Sequence, residues 1–292
     1  SDLLTACSNG SLRSQYMRHL TYKKDFNYVG SETVNLGKND ANKDCSFEYI
    51  PVKELLKSLF KNKSVQEEYE TTRYPTYHGY NKQFDGMQKI LHDVTDGSAF
   101  RDNPFFQENP DALRLMLYQD SFEVCNPIGS SKKKHKILGV YLTLANFRPH
   151  VRSNIDQIVL VLLCKEVDFK YFGQRAIFSR LIDDLKDLEN NGIDIIDGKE
   201  PIKGGLCAIL GDNLGSHCIG GFVENFSSVS HWCRWCILEG QEFQEDPCSI
   251  GQLRNEENYQ LALEERSQLN DGHRPPVVIH VQGVKFDSLF NE

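Results

Sequence analysis

No long hydrophobic run interrupts this chain. Its longest purely apolar stretch, Ile158 to Cys164, is far short of the roughly 20 residues that a membrane-crossing helix takes. The amino terminus also lacks the charged-then-apolar order of a secretory signal. Nine cysteines among 292 residues show none of the rhythm of a secreted disulfide framework, so free or metal-bound thiols are expected in a soluble, intracellular protein. An excess of positive charge is missing too. Lysine and arginine total 33 against 41 acidic residues, a formal net charge of −8, so any contact with nucleic acid has to be local. No helix-turn-helix or zinc finger is legible. What is present is 39% hydrophobic content in a chain long enough for one large domain or two ordinary ones with a real core.

Residues 1–104 form an N-terminal region expected to be partly helical. Gly37 to Asp44 reads as a loop because it gathers Gly, Asn, Asp and Lys. Pro51 opens an amphipathic helix, VKELLKSLFKNKSVQEEY, in which Leu55, Leu56, Leu59 and Phe60 make one apolar stripe for packing. Thr71 to Tyr80, TTRYPTYHGY, has the Pro/Tyr composition of a connector, and further turn formers follow in DVTDGSAFRDNPFFQENPDA.

A more regular pattern begins near residue 105 and runs to about 230. Leu113 to Tyr118 reads as a strand ending on Gln119-Asp120, Ile137 to Leu144 as a second, and Gln157 to Cys164 as a third. Phe172 to Asn191 places Ile177, Phe178, Leu181, Ile182, Leu185 and Leu188 at helical spacing and ends before Gly192. Leu206 to Leu210 makes a fourth strand, and Leu214, Ile219, Phe222, Val223 and Phe226 have the spacing of a following helix. The order β-β-β-α-β-α predicts an α/β fold with an RNase-H-like mixed sheet, in which the first and fourth strands lie side by side. Residues 231–292 would then be a Cys-x-x-Cys segment and the start of an inserted helical region.

Two aspartates become candidates in that arrangement. Asp212 follows the fourth strand, where side chains can converge on a ligand without disturbing the core. It also reads as the N-cap of the next helix. Asp120 ends the first strand and reads equally as a turn residue. Together they could bridge divalent ions, which would also offset the desolvation of a carboxylate ending so apolar a run.

Cys233-Arg234-Trp235-Cys236 has the gap that lets two thiolates face one tetrahedral ion; the same pattern also fits a redox pair. His231, Cys248, His273 and His280 are the candidate partners inside the chain. Lys132, Lys133, Lys134 and Lys136 on the first turn, with Arg148 and Arg152 ahead of the third strand, would serve as phosphate contacts or simply as a solvated basic face. His150 and His217 read as hydrogen-bonded fold residues. Glu256, Glu257, Glu264 and Glu265 share a helix whose charged face reads as solvated.

The segments YQDSFEVCNPIGSSKKKHK, LANFRPHVRSNIDQIVLVLLC, GDNLGSHCIGGF and HWCRWC resemble transposases of cut-and-paste DNA elements, of the broad CACTA/EnSpm-like kind, over about residues 100–292. The resemblance implies a DDE/D site with Mg²⁺ or Mn²⁺, Asp120 as first acid and Asp212 as second, acting on DNA transposon ends in the nucleus. It implies no membrane and no small-molecule cofactor, and it leaves room for a homo-oligomer. The placement of Cys233 and Cys236 is similar to that in V(D)J recombinase relatives, which implies structural Zn²⁺ shared with downstream histidines. The third acid would fall after the inserted region, so the expectation is a fragment of a longer transposase, or else a catalytically silent, transposon-derived module that binds DNA or protein.

Overall fold

The computed structural model describes residues 10, 12–26, 28–75, 92–124, 135–196, 199–227, 229–270 and 280–291. In chain order its main elements are α1 (Gln15–Asp25), β1 (Glu32–Lys38), β2 (Asp44–Tyr49), α2 (Val52–Leu59), α3 (Lys63–Thr72), β3 (Leu113–Glu123), β4 (Lys136–Leu144), β5 (Val159–Lys165), α4 (Glu166–Asn191) and β6 (Gly204–Gly211). They are followed by α5 (Asn213–Ile219), α6 (Gly240–Glu245) and α7 (Glu256–Asn270). The chain divides into two compact units, Ser1–Ile209 and Leu210–Glu292.

The first unit is built on a six-stranded sheet in the order β1-β2-β5-β4-β3-β6. Its centre is explained by β3. Leu113, Arg114, Leu115, Met116 and Leu117 are buried at every position, as a strand covered on both faces must be, and exposed and less exposed residues alternate only from Tyr118 onward. The β3–β4, β4–β5, β5–β2 and β2–β1 pairs are antiparallel. At the other edge, the Leu113 N–H donates to the Lys203 carbonyl at 2.8 Å. Strands β3 and β6 therefore start together and run parallel. Gly204 and Gly205 permit that approach: a Cβ on Gly204 would lie 2.9 Å from Leu188 Cδ2, and one on Gly205 would lie 2.6 Å from Phe105 Cε1.

Helix α4 lays Ile177, Phe178, Leu181, Ile182, Leu185 and Leu188 into the core. Each such side chain contributes about 1.5–3 kcal/mol of burial. The helix starts earlier than its apolar spacing suggests, at Glu166, because Gly173 (φ 80°) breaks the helical path and lets an extra turn precede the stripe. The Tyr49 hydroxyl donates to Asp184 Oδ2 at 2.6 Å, and the Val52 N–H donates to the same oxygen at 3.1 Å. These bonds tie the end of β2 to α4.

Several expectations change. The Gly37–Asp44 stretch is not wholly a loop: Gly37 and Lys38 close β1, Asp44 opens β2, and only the turn between them is irregular. The resulting hairpin joins the main sheet through β5, so residues expected in a separate N-terminal region supply two of its strands. The single long helix after Pro51 is two, α2 and α3, because Asn62 caps a new start by accepting the Ser64 N–H at 3.0 Å. Thr71 and Thr72 belong to α3 rather than to a connector. Strand β3 continues to Glu123, which places Asp120 inside the ladder opposite Gly139 instead of at its end.

The second unit has a smaller apolar centre of Tyr259, Ala262, Val281 and Val284, with Phe222 and Leu263 against it. Helix α5 stops at Ile219, and Gly220 with Gly221 (φ 72°) turns the chain. Phe222, Val223 and Phe226 therefore lie beyond the helix that their spacing suggested. No helix among the described residues is long and apolar enough to cross a membrane.

Candidate functional site

Asp120 is exposed on β3, and its Oδ1 accepts the N–H of Ser121 at 2.8 Å. This bond fixes the carboxylate beside its own backbone in the outer half of the strand. Asp212, in the second unit, is also exposed. It caps α5 as its sequence context suggested, with Oδ1 accepting the Gly215 N–H at 2.6 Å. Each carboxylate thus spends one oxygen on a local N–H. Among the described residues, no three His, Cys, Asp or Glu side chains are grouped so as to hold a metal ion. Glu256, Glu257, Glu264 and Glu265 are all exposed on α7, the solvated face that the sequence suggested.

The Cys pair has a more developed setting. The Trp235 N–H donates to Cys233 Sγ at 3.4 Å. Burial opposes ionisation of Cys233, yet the N–H groups of Trp235 and Cys236 and the Cys236 thiol together hold it below the ordinary thiol value. Cys236 moves upward through burial and the neighbouring Cys233, against N–H groups from Leu238 and Gly251. Backbone donors thus favour thiolate at Cys233, whereas burial and the neighbouring thiol outweigh them at Cys236.

Arg254 braces the segment from the other side. Its Nε donates to the Cys233 carbonyl at 3.0 Å, Nη2 donates to the Gln282 carbonyl, and the guanidinium lies 5.2 Å from the centre of the Phe222 ring. Its own N–H donates to the Trp235 carbonyl at 2.9 Å. Sequence spacing gave no sign of this residue, because its role depends on three separate turns of chain meeting.

The candidate partners of the Cys pair fare differently. His231 accepts or donates at Nδ1 with Ser230 Oγ (3.0 Å) and has Glu239 Oε1 3.7 Å from Nε2. His280 has a buried Nδ1 with no hydrogen-bond partner among the described residues, and burial together with His231 holds it below the ordinary imidazole value. Cys248 is an exposed thiol, and His273 lies outside the described residues. His217 is a fold residue, as expected: it is buried, with Nδ1 2.8 Å from the Val223 carbonyl. Burial pushes its pKa down.

Among the basic candidates, the two arginines are each paired with a carboxylate. Arg148 donates from Nε to Glu68 Oε1 at 2.9 Å and from Nη2 to Oε2. The Arg148 guanidinium in turn holds the Glu68 carboxyl below the ordinary carboxylate value. Arg152 grips Asp93 with both terminal nitrogens, at 2.9 and 2.7 Å. Both forks are therefore already committed to carboxylates, the bidentate partners that a phosphate would have to displace. Lys136 opens β4 opposite Glu123, while Lys132, Lys133 and Lys134 lie outside the described residues.

Comparison with protein-family models and with curated proteins gives no match to this chain.

Proposed function

We propose that the chain carries an RNase-H-like core of a transposase-like protein that cleaves and joins DNA strands, with Asp120 and Asp212 as its first two acids. The observation that supports this reading is the neighbourhood of β3 and β6. They are the first and fourth strands of the β-β-β-α-β series, and the order β5-β4-β3-β6 agrees with that architecture. The N–H groups of Ser121 and Gly215 each orient one carboxylate oxygen and leave the other for Mg²⁺ or Mn²⁺. When bound, such ions would activate the attacking water or 3′-OH and stabilise the leaving oxygen. Cys233 and Cys236 are two ligands of a structural Zn²⁺ in this reading, their N–H donors lowering the cost of thiolate. DNA transposon ends are the substrate, a second copy of the chain is a partner, and the nucleus is the site of action.

A second reading is a catalytically silent module that binds DNA or protein through the same fold. One calorimetric titration with Mn²⁺ separates the two. Under the enzymatic reading the wild type binds Mn²⁺ and the Asp120→Asn/Asp212→Asn variant does not, whereas an equal response removes the metal site. Metal analysis of the same preparation tests the thiolates: one zinc per chain, lost together with helicity on chelation, is expected, and a folded, zinc-free chain refutes that ligand pair.

A further inference from the structure

Among the described helices of the first unit with ten or more residues, α1 is the one without a buried residue. None of its residues is buried, and Ser14 caps it by accepting the Met17 N–H at 3.2 Å, so it forms without an apolar face pressed into the core. Only Met17 and Thr21 are partly covered. At 100° per residue these two mark one side of the helix. The opposite half then carries Tyr16, His19, Tyr22, Lys23 and Phe26, with the last just past the helix end, and Arg18 lies at its edge.

The aromatic rings on that half stand in solvent. Tyr16 and Phe26 are each 71% exposed, and Tyr22 is 40% exposed. Tyr22 and Phe26 meet edge to face, 6.1 Å between centroids. The charge is one-sided: α1 has Arg18, Lys23 and Lys24 against the single acid Asp25 in a chain whose net charge is −8. Lys23 and Lys24 form no ion pair among the described residues. Arg148 and Arg152 contrast with them, since both are held by carboxylates.

Cations interleaved with exposed rings along one helical half match the chemistry of a single-stranded polynucleotide, which offers phosphates at regular intervals and unpaired bases that stack. We propose that the Arg18–Phe26 face of α1 is a contact surface for single-stranded DNA, with Arg18 and Lys23 on phosphates and Tyr16, Tyr22 and Phe26 under bases. A membrane surface is the poorer match: the aliphatic side chains of α1 are only Met17 and Leu20, too few for an inserted apolar face. The inference rests on the DNA reading above, and it supplies a nucleic-acid contact that does not use the committed arginines.

The test is fluorescence anisotropy of the full chain with a labelled oligothymidylate of about 16 nucleotides, without added Mg²⁺ or Mn²⁺ and without chelator. Tyr16→Ala/Tyr22→Ala/Phe26→Ala is expected to weaken binding about ten-fold or more while leaving the salt dependence intact. Arg18→Gln/Lys23→Gln is expected to weaken binding and to flatten the slope of log K against log salt by about 1.4. Because no α1 side chain is buried, both variants should keep the wild-type circular dichroism and melting curve. Unchanged affinity in both variants overturns the proposal, as does tighter binding to a duplex of equal length or to phosphatidylserine vesicles. Oligonucleotide binding by the wild type is read beside its Mn²⁺ response. If the Mn²⁺ response fails but this binding persists, only the catalytic reading falls.

Discussion

The two units hold themselves together by different means. In Ser1–Ile209 the sheet and α4 bury a continuous set of large apolar side chains, among them Tyr49, Phe178, Leu115, Leu117, Leu142 and Leu144. In Leu210–Glu292 the apolar cluster is small, and much of the order comes from turns, backbone bonds across the Cys segment and the Arg254 brace. A unit with so little buried surface gains most from cross-links that do not depend on size. The thiol pair, with N–H donors aimed at both sulfurs, lies in that unit.

The sharpest way to break the comparison is to cut into the larger core. Phe178→Ala, at a residue 1% exposed, should cost about 3–5 kcal/mol in urea denaturation, the range for removing a buried ring. A loss below about 1 kcal/mol would mean that burial is not what holds the first unit.

In the second unit the vulnerable points are turns. Gly221 sits at φ 72°, and a Cβ there would fall 2.0 Å from the Phe286 carbonyl oxygen. Gly221→Ala should cost about 1–3 kcal/mol from backbone strain alone, before that clash is relieved. Hydrogen exchange reads the effect: faster exchange is expected at Val223 and Lys285, whose N–H groups bond to Gly283 and Gly221, with β3 and β4 unchanged. Faster exchange in the sheet as well would contradict the division into separately held units.

The smallest effect concerns a surface tie of the first unit. Arg148 holds the Glu68 carboxyl below its ordinary value, so the pair stabilises the fold above the ordinary carboxylate range. That stability is lost as pH falls through the lowered value. Glu68→Gln should reduce stability by about 0.5–1 kcal/mol at neutral pH, a figure limited by the solvent exposure of Arg148. The difference from wild type should vanish in acid. A difference that persists below pH 3 would assign the effect to packing instead.

Sequence periodicity reached the central strands and α4 because each is local. Apolar residues at alternate or helical spacing have few other uses in a globular chain. It failed where one signal had two meanings. The Asn-rich turn of the β1–β2 hairpin resembles any loop, and β1 itself, Glu-Thr-Val-Asn-Leu-Gly-Lys, is a largely exposed strand with little apolar signal. Asp212 was legible as a cap because capping is a short-range bond. The position of Asp120 within the ladder was not, since β3 becomes polar before it ends.

By itself, then, the sequence determined that Leu113–Tyr118, Ile137–Leu144 and the helix ending at Asn191 would be ordered in an α/β arrangement. It also marked Cys233 and Cys236 as a spaced pair. Only the tertiary structure decided that the hairpin of β1 and β2 completes the sheet at β5, that Arg148 and Arg152 are spent on Glu68 and Asp93, and that Arg254 braces the Cys segment. The physical reason is reach. Helix, strand and cap signals act over a few residues, whereas the two arginine pairs join residues 80 and 59 positions apart, and such partners exist only once the chain has closed on itself.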